Sequence, residues 1–308
     1  MENNRRNFLK KISIGGAAAA ISAAGIASTP FSSIADKELL AKPPKVKSKL
    51  KLSCQENVAP GKTLAEKLDF LEKNGFSGFE QGCGGILQRA DEIGKALQNR
   101  NVKISVVCAG FEGHLIADTK ENRDLAMRTI KEALTNAGAL EALGVIVVPA
   151  FNRQPSLPFV EARQMLVDEL KELGEHAVKN KTKVILEPLN RKEAWFLRQV
   201  ADAASICRDV NSDGVGCMGD FWHMTWEETS DMGAFISGGK YLTHVHVASR
   251  ENRKMPGEDS NDIYIDGFKG LKMINYPNFV SLECGSIGDK NVTIPAAVKL
   301  LNEQWDKA

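Results

Sequence analysis

The chain has 308 residues, 40 basic against 39 acidic side chains, five histidines and a formal net charge of +1. A balance this close provides no basic face for a nucleic acid, and past the N-terminus no apolar run reaches the roughly 20 residues a spanning helix needs. Setting an N-terminal segment aside leaves about 260 residues, the usual size of a (β/α)8 barrel.

That N-terminal segment reads as an export signal. Asn4-Arg5-Arg6-Asn7-Phe8-Leu9-Lys10-Lys11 pairs two arginines with an apolar residue and lysines, and a Gly- and Ala-rich apolar run follows to Ile26 before Ala27-Ser28-Thr29-Pro30. The order of charged start, short apolar middle and small-residue end matches a twin-arginine signal. The expected organisation is a signal peptide over 1–30, a polar lead-in over 31–48 and one domain over 49–308. The expected destination is the periplasm, with no stable membrane insertion after cleavage. The six cysteines (54, 83, 108, 207, 217 and 284) form no C-x-x-C pair and lie mostly in or beside apolar strand-like segments. That pattern favours small buried thiols over disulfides.

Strand-like and helix-like segments then alternate. The first strand is expected at 49–54. A helix over 63–74 carries apolar residues at Leu64, Leu68 and Leu71 and stops at Gly75. Strand 78–81, helix 86–100, strand 103–108, helix 122–143, strand 145–149 and helix 157–180 follow. The fifth strand runs from Val184 into Glu187 and is stopped by Pro188. A helix over 196–210, strands at 215–220, 241–247 and 279–284, and a closing helix over 294–305 complete the chain. Eight strands alternating with helices predict an α/β fold with parallel packing, most simply a (β/α)8 TIM barrel. An open doubly wound sheet is the alternative, without a Gly-rich dinucleotide loop to favour it.

Four strand ends carry chemistry. The fifth ends at Glu187, the sixth at Asp220, the seventh offers His246 and the eighth Glu283. In a barrel these ends meet at the C-terminal mouth, where unpaired carboxylates would repel and a divalent cation would hold them together. Mixed oxygen and nitrogen ligation suits one Mn²⁺, Co²⁺, Mg²⁺ or Zn²⁺ ion. His244 and His246 stand two apart and share a face. His246, nearer the mouth, is expected as the ligand, and His244 as a barrel-interior histidine held by hydrogen bonds.

Glu187-Pro188-Leu189-Asn190-Arg191-Lys192-Glu193, Asp220-Phe221-Trp222-His223-Met224, His246 with Glu251-Asn252-Arg253, and Glu283 together resemble the sugar isomerase/epimerase group built on a xylose-isomerase-like barrel. The pattern is nearest to the D-tagatose and D-psicose 3-epimerases, with hydroxypyruvate isomerases and inosose dehydratases as relatives. The resemblance implies Glu187, Asp220, His246 and Glu283 as ligands of one divalent ion, most readily Mn²⁺, and Glu187 and Glu283 as an acid/base pair. It further implies His223 and Arg253 on the substrate oxygens and Glu193 supporting that histidine or the sugar, in homodimers or homotetramers. Trp222 is a candidate floor for a sugar ring by stacking, and Arg253 could instead belong to a solvated charge-rich run. The expected activity is a metal-dependent isomerase or epimerase on an unphosphorylated keto-sugar or polyol, through an enediolate. A lyase or dehydratase with the same site is the alternative, and a non-catalytic sugar-binding protein a further one.

Overall fold

The computed structural model describes residues 48–82, 86–108 and 110–308. In chain order these form β1 (Lys51–Cys54), α1 (Leu64–Lys73), β2 (Gly78–Gly82), α2 (Ile86–Leu97), β3 (Lys103–Cys108), α3 (Lys120–Ala139), β4 (Val145–Val147), α4 (Phe159–Lys179), β5 (Val184–Leu186) and α5 (Val200–Val210). The second half contains β6 (Val215–Asp220), α6 (Phe221–Glu227), α7 (Asp231–Gly238), a 3-10 turn at Gly239–Tyr241, β7 (Leu242–Val247), α8 (Ile265–Met273), β8 (Phe279–Leu282) and α9 (Lys290–Lys307).

The strands make one parallel sheet in the order β1-β8-β7-β6-β5-β4-β3-β2, which curls into a (β/α)8 barrel. The seam between β1 and β2 is joined by Ser77 N–H to Leu52 O and Glu56 N–H to Glu80 O, each 3.0 Å, with a parallel bridge between Gln55 and Glu80. Gly78 permits this approach, because a Cβ there would stand 2.6 Å from the Ser53 Cβ and 2.7 Å from the Phe279 ring. The helices lie outside, burying apolar stripes such as Leu166, Leu170 and Leu173 of α4. Thr63 and Glu66 form a capping box that starts α1.

The barrel interior follows from the period-two rule of strands. Val106, Ile146, Ile185 and Met218 form a separate buried cluster from four consecutive strands. Glu187 stands two residues beyond Ile185 and Asp220 two beyond Met218, so the inward face of each strand ends in a carboxylate.

The expected helices at 122–143, 157–180, 196–210 and 294–305 are present with shifted ends. Strands β4, β5 and β8 are shorter than expected, with Glu187 and Glu283 each one residue past the last paired position. Helices α6, α7 and α8 were not predicted. They are short, and their apolar residues pack on neighbouring helices rather than forming one long stripe. The expected 1–30 signal segment and Cys83 lie outside the described residues. Cys54, Cys108, Cys207, Cys217 and Cys284 are free thiols, and burial pushes Cys284 up to about 12, which makes it a poor nucleophile. No helix among the described residues is long and apolar enough to cross a membrane.

Candidate active site

Ligand atoms of Glu187, Asp220, His246 and Glu283 all lie within 4.8 Å of one another at the C-terminal mouth. Glu187 follows β5 and donates its N–H to Val147 O at 3.1 Å, so the strand ladder fixes its backbone. Asp220 closes β6 and also caps α6, its Oδ1 accepting from Trp222 N–H at 2.8 Å. The cap locks the side chain and leaves Oδ2 toward the site.

Two observations test whether a metal ion fits. His246 Nδ1 is 2.9 Å from Glu283 Oε2 and 3.7 Å from Glu187 Oε1, yet it has no hydrogen bond of acceptable geometry, and Glu187 Oε1 also has no partner. Buried polar atoms left this way are costly, and a cation between them would satisfy both. The donor chemistry agrees: three carboxylates and one imidazole nitrogen suit a hard or borderline divalent ion. Glu187, Asp220, His246 and Glu283 are therefore fit to hold one.

The imidazole of His246 is fixed from behind by Glu80, a residue the sequence reading passed over. Glu80 is 1 % exposed, and both its oxygens stand 3.0 Å from His246 Nε2. Oε2 also accepts from His244 Nε2 at 3.0 Å, and Oε1 accepts from Gln55 Nε2 at 2.7 Å. A carboxylate on Nε2 places the proton there and leaves the Nδ1 lone pair for a cation, the arrangement that orients metal-binding histidines generally. Burial pushes Glu80 up, but the two histidines outweigh it and hold the carboxyl well below its usual range. His244 is buried and bonded to Glu80, and ligand atoms of Glu80, His244 and His246 also lie within 4.8 Å of one another. Gln55 also donates to Glu283 Oε1 at 3.0 Å, tying β1 to the opposite edge of the site.

The two glutamates differ in charge environment. Burial, helped by the nearby Glu283 charge, pushes Glu187 up against the pull of His246. Burial would raise Glu283 too, but His246 and Arg253 overcome it and bring its carboxyl down to about 2.

Arg253 belongs to the site and not to a solvated surface run. Its Nη2 donates to Glu283 Oε2 at 2.5 Å and to Asp220 Oδ2 at 3.2 Å, and its guanidinium lies 4.5 Å from the centre of the Trp222 ring. Its φ of 53° is a left-handed conformation that costs a non-glycine residue energy and is held by these contacts. His223 is 1 % exposed; its Nδ1 accepts from Asn190 N–H at 3.1 Å, so the proton sits on Nε2. That Nε2–H has no hydrogen-bond partner and lies 3.6 Å from Asp220 Oδ2, a donor left for a ligand oxygen. Glu193 does not reach His223. It holds Asn190 Nδ2 at 3.0 Å, and the same amide lies 2.8 Å from His223 Nδ1, so any support passes through Asn190.

The strand-end rule could have found Glu80, because Gly78-Phe79-Glu80-Gln81 is a strand entering the mouth. The signal was faint because no run of β-branched residues precedes it. Asn190 sits in a loop with no pattern to mark it, while Gln55 extends β1 by one residue through its bridge to Glu80.

This chain belongs to the xylose isomerase-like TIM barrel family, whose model matches residues 68–304. Among its relatives, the 3-dehydro-D-guloside 4-epimerase of Escherichia coli strain K12 is 26% identical over 242 residues, 76% of this chain and 92% of the relative. A D-psicose 3-epimerase of Agrobacterium fabrum is 34% identical over 98 residues, 32% of this chain and 33% of the relative. The crystal structure of a 3-keto-D-glucoside 4-epimerase from E. coli superposes with a TM-score of 0.74 at 25% identity, covering 83% of this chain and 99% of that one. A D-psicose 3-epimerase crystallised in the presence of D-fructose superposes at 0.73 and 18% identity, covering 83% and 99%, and attests to the fold alone.

Proposed function

We propose that this protein is a metal-dependent sugar epimerase or isomerase acting on an unphosphorylated keto-sugar or polyol, with Mn²⁺ as the preferred ion. The observation that carries this reading is the convergence of Glu187, Asp220, His246 and Glu283, two of them glutamates, within 4.8 Å. Relatives that epimerise keto-sugars support it. An ion held by Glu187, Asp220, His246 and Glu283 would supply Lewis-acid polarisation of the substrate carbonyl and offset the negative charge on its oxygen.

The chain's own groups do the rest. One of the pair Glu187 and Glu283 removes the proton from the carbon beside the carbonyl. The Nε2–H of His223 and the Arg253 guanidinium donate to the substrate oxygens, where the charge of the enediolate accumulates. The second glutamate delivers a proton to the other face, inverting the carbon, or to the neighbouring carbon, moving the carbonyl. Trp222, half-buried under Arg253, borders the ring.

The absence of a phosphate requirement is supported by the loop after β8. The backbone N–H groups of Ile287 and Gly288 and the Ser286 hydroxyl all donate to the Glu258 carboxylate, at 2.8–3.0 Å. The donors that could cradle an anion are filled by the protein itself. We further place the enzyme in the periplasm, exported by the 1–30 twin-arginine signal ahead of a 49–308 domain. Replacing Arg5 and Arg6 by lysine should then retain the protein in the cytoplasm on cell fractionation, and unchanged export would refute that placement.

The test of function is proton NMR of the metal-loaded protein in D₂O against free ketoses and keto-glycosides. Exchange at carbon with an epimer or aldose appearing is the expected result. Exchange accompanied by loss of a β-substituent would make the enzyme a lyase, and metal binding without exchange on any sugar would sink the enzymatic reading.

A further inference from the structure

Glu283 belongs to the four-donor cluster and also borders a cavity. This cavity, of about 420 Å³, is lined by Glu283 and Glu80 together with Glu56, Asn57, Lys67 and Arg89, a volume in the range of small-molecule sites. A substrate bound at Glu283 therefore shares its space with the charges of this wall.

Those charges do not cancel. Each carboxylate is matched: Glu80 holds the two histidines, Glu283 holds Arg253, and Glu56 accepts from Arg89 at 2.9 Å and from Gln81 Nε2 at 2.7 Å. Arg89 is committed as well, with further bonds to Glu92 at 2.8 and 3.0 Å. Lys67 of α1 is different. Its Nζ donates to the backbone carbonyl of Glu56 at 2.8 Å, and no carboxylate pairs with it among the described residues. An ammonium has three donors, and one is used here.

Lys290 repeats the arrangement from another helix. As the first residue of α9 it donates to the next carbonyl, Asn57 O, at 3.0 Å, again with no carboxylate paired to it among the described residues. Two helices thus bring unmatched ammonium groups to consecutive carbonyls of the loop after β1. Their charges reach one place: burial pushes the Cys54 thiol at the end of β1 well up, and Lys290 and Lys67 are the two cations that pull against it.

This surplus selects the kind of ligand. A phosphate is usually held by a cradle of backbone N–H groups, and the N–H groups of Ile287 and Gly288 after β8 are already taken by Glu258. A doubly charged group would also stand among the Glu56, Glu80 and Glu283 carboxylates, which repel it more than they repel a single charge. A carboxylate carries one charge and bonds an ammonium directly.

We propose that Lys67, its charge reinforced by Lys290, binds a carboxylate of the substrate, so that the reacting sugar is a keto-sugar acid such as a ketohexuronate. The proposal rests on the epimerase reading for its reaction and on the unmatched ammonium groups for its selectivity.

The test compares solvent exchange in D₂O on D-fructuronate and on D-fructose, which differ only by a terminal carboxylate in place of a hydroxymethyl group. The wild type should favour the acid by about tenfold or more in kcat/KM, the size of one charge-assisted hydrogen bond. Lys67→Gln should cancel most of that advantage through a higher KM for the acid, and Lys67→Arg, which keeps the charge, should retain most of it. Added NaCl should raise the KM of the acid more than that of fructose, as screening of an ion pair requires. A wild type that treats the two sugars alike, or an advantage that Lys67→Gln leaves untouched, would overturn the carboxylate site while leaving the epimerase reading intact. Preference for D-fructose 6-phosphate would also overturn it. If neither ketose exchanges, saturation-transfer NMR with D-glucuronate and D-glucose decides without turnover. Stronger transfer to glucuronate that falls in Lys67→Gln would uphold the site, and only the epimerase reading would fail. Equal transfer to both sugars, or transfer to glucuronate unchanged by Lys67→Gln, would refute the site.

Discussion

The two halves of the barrel mouth are built on different rules. From β5 to β8, each strand delivers one metal-fit donor on its inward face. From β1 to β3, no residue joins the four-donor cluster; Glu80 instead bonds His246, and Gln55 bonds Glu283. One half brings the donor atoms together and the other fixes the orientation of His246. An imidazole binds a cation well only when its other nitrogen is fixed, so His246 is useful to β7 because Glu80 stands on β2.

That division can be broken experimentally. The largest effect is expected on the ligand side: Glu283→Gln or Glu187→Gln should reduce carbon-proton exchange by roughly 10³-fold or more, since each removes a proton-transfer group as well as a donor. Retained circular dichroism and an unchanged Tm would show that the loss is chemical. A residual rate within tenfold of wild type would mean that the site chemistry has been misassigned.

A smaller effect is expected on the orienting side. Glu80→Gln keeps the volume but removes the carboxylate behind His246, and should weaken divalent-ion affinity by roughly 10–100-fold, measured by calorimetry with Mn²⁺ alone. Excess metal should restore much of the exchange activity, which it should not do for Glu283→Gln. If Glu80→Gln binds Mn²⁺ as tightly as wild type, the two halves are not coupled through His246.

The smallest effect belongs outside the mouth. On α4, Glu169 has a buried Oε2 without a partner, and Arg123 is 3.8 Å away. Burial outweighs Arg123 and pushes the carboxyl up to about 8. The unfolded chain releases this proton at the ordinary carboxylate pKa, so folding stability is fully present at low pH and falls as pH rises toward about 8. Glu169→Gln should therefore raise stability by about 1–2 kcal/mol at pH 8.5 and change little at pH 5, read from urea denaturation at both values. Exchange activity should stay near wild type, which separates the helical shell from the mouth.

The ligand half was legible because each donor ends an apolar strand or stands two residues from an inward-facing one. Val184-Ile185-Leu186-Glu187 announces a buried carboxylate, and Asp220, His246 and Glu283 repeat the message in order. Glu80 follows the same rule, but Gly78-Phe79 is too short a prelude to mark it. Arg253 was ambiguous because a charge-rich segment has no periodicity. Only the observed left-handed backbone and the contacts to Asp220 and Glu283 place it in the site.

Local pattern by itself determined the alternation of strands and helices, the barrel and the four side chains that converge at its mouth, because strand period and strand ends are properties of neighbouring residues. Tertiary structure decided the partners: Glu80 behind His246, Asn190 between Glu193 and His223, and the Gln81–Glu56–Arg89 wall. These contacts join residues that only barrel closure brings together, and a hydrogen bond between distant strands leaves no period in the chain.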